Sequence, residues 1–142
     1  MKIKPVVYDR IRTTHTSFVV DFTLDDNITF IVGDSGTGKT AAYSFLQELA
    51  AEDKRIRCFN YLDLSQSYKR TIKRSRGKLF IIDNADILLD DAMRRYIALD
   101  GQNQYIIMGR NPTGLMLNME DIMELKSTTE AGITTFSLMH SA

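Results

Sequence analysis

Ile28-Thr29-Phe30-Ile31-Val32-Gly33-Asp34-Ser35-Gly36-Thr37-Gly38-Lys39-Thr40 changes its period halfway along, and that change decides how the chain is organised. Residues 28–32 are nearly all apolar, as in a strand covered on both faces. Glycines then stand at positions 33, 36 and 38. Beyond them Ala42, Phe45, Leu46, Leu49 and Ala50 recur at helical spacing, which predicts a helix from about Lys39 to Glu52. Gly33 to Thr40 fits G-x-x-x-x-G-K-S/T, the pattern of a loop that cradles phosphate. A chance match arises in about one chain in two hundred of this length. The strand before and the helix after are the context the pattern requires.

The residue types follow from the chemistry. Glycine admits backbone conformations that a Cβ obstructs. The bend turns successive N–H groups inward into an anion-binding nest. The start of the helix adds unpaired donors and the positive end of its dipole. Lys39 is placed to reach the β- and γ-phosphates, and the Thr40 hydroxyl to ligate Mg²⁺. The expected nucleotide-contacting run is therefore Gly33, Asp34, Ser35, Gly36, Thr37, Gly38, Lys39, Thr40 and Ala41, with ATP and Mg²⁺ as ligands.

Upstream, residues 2–8 read as a short extended piece limited by Pro5, and Tyr8 to Thr16 as a polar loop. Residues 17–24 alternate, with Phe18, Val20, Phe22 and Leu24 on one face, predicting a half-buried strand. Through a turn at Asp25-Asp26-Asn27 it forms a hairpin with 28–32 that feeds the loop. Downstream, strands are predicted at 55–61, 79–82, 105–108, 121–126 and 133–139, the last two flanking a polar turn at Ser127 to Gly132. Helices are predicted at 64–76, capped by Asp63 or Ser65 and ended by Gly77, and at 90–99. Strands alternating with helices predict an α/β fold: a mainly parallel sheet with helices on both faces and an N-terminal antiparallel hairpin. Ligands of such sheets bind beyond the carboxyl ends of the strands.

Leu79-Phe80-Ile81-Ile82-Asp83 is four apolar residues closed by an acid. A buried strand of that kind can hold a carboxylate at its tip, beside the Mg²⁺ that Thr40 ligates. Together these motifs resemble those of the P-loop NTPases, in the division where another strand inserts between the loop strand and the acid-tipped strand. AAA-type and ABC-type ATPases belong to it. The resemblance covers about residues 17–111 and rests on GDSGTGKT (33–40, Walker A), LFIIDNAD (79–86, Walker B) and YIIMGRNP (105–112). It implies a three-layer P-loop NTPase fold with the 105–108 strand inserted between the other two. It also implies a polar γ-phosphate sensor at Asn111 or Arg110.

The chain departs from the pattern in several places. Many of these ATPases follow the Walker B aspartate with a glutamate that activates water. Here Asn84 follows, an amide that can hydrogen-bond a water but cannot take its proton. Asp86 is the candidate substitute, although the commoner role for an acid there is to cap the next helix. There is no LSGG-like run, no N-K-x-D guanine motif, and no helical pattern for a lid after residue 112. The candidate catalytic set is thus Lys39, Asp83, Asn84, Asp86 and Asn111, with Thr40 and Asp83 on the metal. An arginine finger would come from Arg110, Arg94, Arg95 or a neighbouring subunit.

Two other signals stay open. Residues 69–78 carry six basic side chains in ten positions. They read as a solvated helix face, or as a patch for nucleic acid or an acidic partner. Tyr8, 25 residues before Gly33, reads as sheet packing or as an adenine-stacking ring at the spacing ABC-type proteins use.

At 142 residues, 44% hydrophobic and 25% charged, the chain reads as one nucleotide-binding domain, 1–142, of the soluble globular class. A formal net charge of zero supplies no global field for nucleic acid or membrane. Cys58, the single cysteine, excludes an internal disulfide and reads as a buried reduced thiol. No run approaches the ~20 apolar residues of a membrane span. Met1-Lys2-Ile3-Lys4-Pro5 leads into no signal-peptide core, so a cytoplasmic setting is expected. Two functions fit: a Mg-dependent ATPase of weak activity, or a nucleotide-dependent switch or assembly module. The second acts with a protein partner or by self-association, and Asn84 favours it.

Overall fold

The computed structural model describes residues 3–33, 38–64 and 67–141. Its strands are β1 (Arg10–His15), β2 (Phe18–Thr23), β3 (Ile28–Val32), β4 (Ile56–Phe59), β5 (Leu79–Ile82), β6 (Gln104–Met108), β7 (Ile122–Glu130) and β8 (Ile133–His140). Its helices are α1 (Lys39–Glu52), α2 (Tyr68–Arg74), α3 (Ala85–Leu88) and α4 (Asp91–Leu99). All eight strands join one sheet in the order β1-β2-β8-β7-β3-β6-β5-β4. β7, β3, β6, β5 and β4 run parallel, β8 reverses on β7, and β2 follows β8 while β1 reverses on β2.

Strand period divides the core in two. Ile31, Ile81, Ile106 and Met108 point to one face, where α1 adds Ala42, Tyr43 and Leu46. Phe30, Phe80, Ile82, Tyr105 and Ile107 point to the other, against Tyr68 and Ile72 of α2, Leu88 of α3, and Met93 and Ile97 of α4. Each such side chain, fully buried, contributes about 1.5–3 kcal/mol. That double cover is why β3, β5 and β6 read as unbroken apolar runs.

The expected three-layer, mainly parallel P-loop NTPase architecture is not what forms. The sheet is mixed and curled into a half-barrel, with few helices. Its longest ladders are antiparallel, six residue pairs in β1–β2 and eight in β7–β8. α1 has 14 residues, but α2, α3 and α4 have 7, 4 and 9, too short to make a helical layer. The hairpin is also different. β2 pairs with β1 through Thr16-Ser17, and β8 and β7 separate it from β3. β1 was hidden because Thr13 and His15 share the inward face of Ile11, so its alternation is polar on both sides. Ser127 to Glu130 continue β7, and the turn is only Ala131-Gly132, both at positive φ (52° and 79°), as in a two-residue hairpin turn. The predicted 64–76 helix shortens to α2. Asp63 caps a single 3₁₀ turn at Tyr61–Asp63, accepting from the Asn60 amide, and Ser65 lies outside the described residues.

Residues 3–9 form no strand. They are held at the amino ends of β3 and β6 by buried amides. The Gln104 carboxamide accepts from the Val7 and Tyr8 amides (3.0 and 2.8 Å) and donates to the Tyr8 carbonyl (2.8 Å). Asn27 accepts from the Val6 amide at 3.1 Å. Gln104→Ala removes three bonds at once. Urea unfolding of this variant is expected to show a loss of about 2–3 kcal/mol, with faster amide hydrogen exchange at residues 7 and 8.

Candidate functional site at the carboxyl edge of the sheet

Because β3, β6, β5 and β4 are parallel and in register, they end along one edge. A cavity of about 510 Å³ opens there. Lys39 and Thr40 of α1 line it, with Asn60 and Tyr61 beyond β4, Asp83 and Asn84 beyond β5, and Gly109 and Arg110 beyond β6. Crevices at the carboxyl ends of parallel strands are the usual ligand sites of such sheets.

α1 starts at this edge with no side-chain cap and no acid in its first turn. Its amino end is therefore suited to an external anion. The Lys39 ammonium donates to the Gly33 carbonyl, folding back over the loop. Gly38 has φ 96°, and a Cβ there would lie 2.9 Å from Phe136 Cε1 and 3.4 Å from Leu125 Cδ2. The β7–β8 hairpin thus packs directly on the loop, and position 38 has room for glycine alone. Ala41 is exposed in the first turn of α1 and does not line the cavity. Asp34, Ser35, Gly36 and Thr37 lie outside the described residues.

Asp83 is half-buried and accepts from the Asn84 amide at 2.9 Å. Burial raises its pKa above the ordinary carboxylate range, opposed by that amide and by the charge on Lys39. Asn84 sits at φ 53°, ψ 45°, where the chain turns from β5 into α3. Asparagine tolerates this left-handed conformation better than glutamate, so the amide also meets a backbone need.

Asp86 is neither a helix cap nor free to activate water. Its carboxylate accepts from the amides of Arg110 (2.8 Å) and Asn111 (2.9 Å), with Arg94 Nη2 at 3.7 Å. Gly109 permits this approach, since a Cβ there would stand 3.2 Å from Asp86 Oδ1 and 3.3 Å from Ala85 Cβ. Arg94 is buried and donates to the carbonyls of Asn111 (2.6 Å), Thr113 (2.9 Å), Leu89 (3.3 Å) and Ala85 (3.4 Å). It braces the loop after β6 and cannot serve as an arginine finger. Arg95 is exposed on α4, away from the cavity. Of the two sensor candidates, Arg110 lines the cavity, whereas the side-chain Oδ1 of Asn111 accepts from the Thr113 amide and hydroxyl.

Tyr8 lies far from the site. Its hydroxyl bonds Asp53 and accepts from Arg55 at 2.6 Å, and the Arg55 guanidinium sits 4.6 Å over its ring. Asp53 caps the opposite end of α1 from Lys39, about 21 Å away at 1.5 Å per residue. Adenine stacking on Tyr8 is excluded by that distance. Four of the six basic residues at 69–78 are engaged within the chain. Lys69 pairs with Asp90, Lys73 lies over Tyr96, Arg76 holds nearby carbonyls and Lys78 bonds the Lys54 carbonyl. Cys58 is half-buried, its thiol pushed up to about 12 by desolvation. Among the described residues no helix is long and apolar enough to cross a membrane.

Sequence reasoning missed Tyr43, Asn60 and Tyr61 as lining residues. Tyr43 stands four residues after Lys39, on the same helix face, which was a usable signal. Asn60 and Tyr61 follow a parallel strand, where the carboxyl-edge rule points.

No known protein family and no curated protein matches the chain. Among solved structures, a chain titled RNase-L Inhibitor is similar at 14% identity and a TM-score of 0.44, over 99% of this chain. This chain spans 41% of that one. A likeness of that depth carries nothing about function.

Two outcomes check the site's construction. Asp83 has a folded-state pKa above its unfolded value, so its stabilising contribution is present at acid pH and lost as pH rises through the raised value. Asp83→Asn, measured without metal, is therefore expected to melt higher than wild type at neutral pH, the difference closing in acid. Asp86→Ala is expected to lose about 1–2 kcal/mol, with faster hydrogen exchange at the Arg110 and Asn111 amides.

Proposed function

We propose that this chain binds ATP with Mg²⁺ at the carboxyl edge of its sheet and hydrolyses it weakly. The supporting observation is the meeting of Lys39, Thr40 and Asp83 in one cavity at the uncapped start of α1. The sequence motifs that resemble AAA-type and ABC-type ATPases support the same reading. Lys39 and the first-turn amides of α1 bind and orient phosphate oxygens. A hydroxyl and one carboxylate fit Mg²⁺, which takes one or two carboxylates and completes its shell with phosphate and water. When bound, the ion neutralises phosphate charge.

A switch with little turnover is the second reading, and a specific observation favours it. Asn84 offers no general base, and the Asp86 carboxylate is already held by two backbone amides. Nucleotide would then act by its differential affinity for two conformations, read by a protein partner or a second copy.

Titration calorimetry with Mg-ATP tests binding, beside Lys39→Ala and Asp83→Ala. The expected result is binding by wild type, weakened at least tenfold in Lys39→Ala, with phosphate release slow in wild type and abolished in Asp83→Ala. Binding without measurable phosphate release selects the switch. Absence of ATP binding by wild type in the presence of Mg²⁺ would overturn both readings.

A further inference from the structure

Tyr43 is a lining residue whose chemistry the site leaves unexplained. Its side chain is 5% exposed, yet its hydroxyl has no hydrogen-bond partner among the described residues. A buried hydroxyl without a partner is unfavourable, and native structures rarely keep one without reason. Phenylalanine would fill the same apolar surroundings of Ala42, Leu46 and Ile81 with no orphaned oxygen.

Three observations say what the hydroxyl is for. Tyr43 lines the same cavity as Lys39, Thr40 and Asp83. It follows Lys39 by four residues, so both lie on one face of α1, with Tyr43 one turn further in. Burial acts on its hydroxyl first, then the charges of Cys58 in β4, of Asp83 at the tip of β5 and of Asp63 just beyond β4. Burial and those charges raise its pKa, so it stays a protonated donor at all working pH values. Along the sheet order β3-β6-β5-β4, these tips lie progressively further from the loop that follows β3. At about 4.8 Å per strand, β5 and β4 stand about 10 and 14 Å from β3. A triphosphate held at Lys39 in this cavity would have Tyr43 one helical turn from its anchor.

We propose that the Tyr43 hydroxyl is a positioning group for the terminal phosphate of a bound nucleoside triphosphate, donating a hydrogen bond to one of its oxygens. The inference rests on the ATP reading above and extends it. It makes Tyr43 the residue that distinguishes three phosphates from two.

Tyr43→Phe removes one oxygen and tests this without relying on turnover. Thermal unfolding of the free variant is expected at a higher temperature than wild type, because the unpaired hydroxyl is gone. Calorimetry with Mg²⁺ and a non-hydrolysable ATP analogue is expected to show about tenfold weaker binding, while ADP affinity stays within about twofold. Equal affinity of variant and wild type for the analogue overturns the proposal. So does an equal loss for ADP, which would place the hydroxyl elsewhere on the ligand. A lower melting temperature with unchanged affinities would mark Tyr43 as a packing residue and also overturn it. If wild type binds neither nucleotide, the ATP reading itself fails, an outcome separate from any effect of the substitution.

Discussion

Everything at the candidate site depends on the in-phase parallel pairing of β3, β6 and β5. Ile31 faces Met108, and Ile82 faces Ile107. That register stops the strands at one level, so the loop after β3, Asp83 after β5 and Gly109 after β6 emerge side by side. A shift of one residue in any of them would turn its core side chains to the opposite face. The two apolar clusters on either side of the sheet therefore fix the functional edge as firmly as the hydrogen bonds do. The position of β6 between β3 and β5 also keeps Asp83 a full strand away from the loop after β3, and the cavity opens along that edge.

Around that edge, polar side chains hold irregular backbone in place. Asp86 binds two amides of the loop after β6, and Arg94 binds carbonyls of the same loop from beneath. Opposite charges thus hold opposite backbone groups of one short segment, with Gly109 allowing the approach. The other end of the sheet is built the same way. Asn103 and Tyr105 donate to the Asp100 carboxylate, and Gln104 secures the N-terminal segment.

The parts legible in the sequence were those with strong local periodicity. α1 spans Lys39–Glu52 as its apolar spacing implies, and β3, β5 and β6 agree with the sequence pattern to within one residue, because each is covered on both faces or strongly patterned. The architecture was not legible. The inward positions of β1 are Ile11, Thr13 and His15, and a polar inward face looks like a loop. The outer half of β7, Ser127 to Glu130, is exposed and threonine-rich, so it looked like a turn. Once these two segments are strands, the alternating helix–strand pattern no longer describes the sheet, and its mixed half follows. At the site, residue types located Lys39, Thr40 and Asp83 at one cavity. They could not show that Asp86 and Arg94 are taken up by backbone groups, since those partners carry no side-chain signature.

The contact of Gly38 with Phe136 and Leu125 has a mechanical side. The Phe136 ring of the hairpin rests where a side chain at position 38 would otherwise be. Loop and hairpin therefore cannot choose their positions separately. A side chain added at position 38 would have to push the Phe136 ring, and with it β8, out of place.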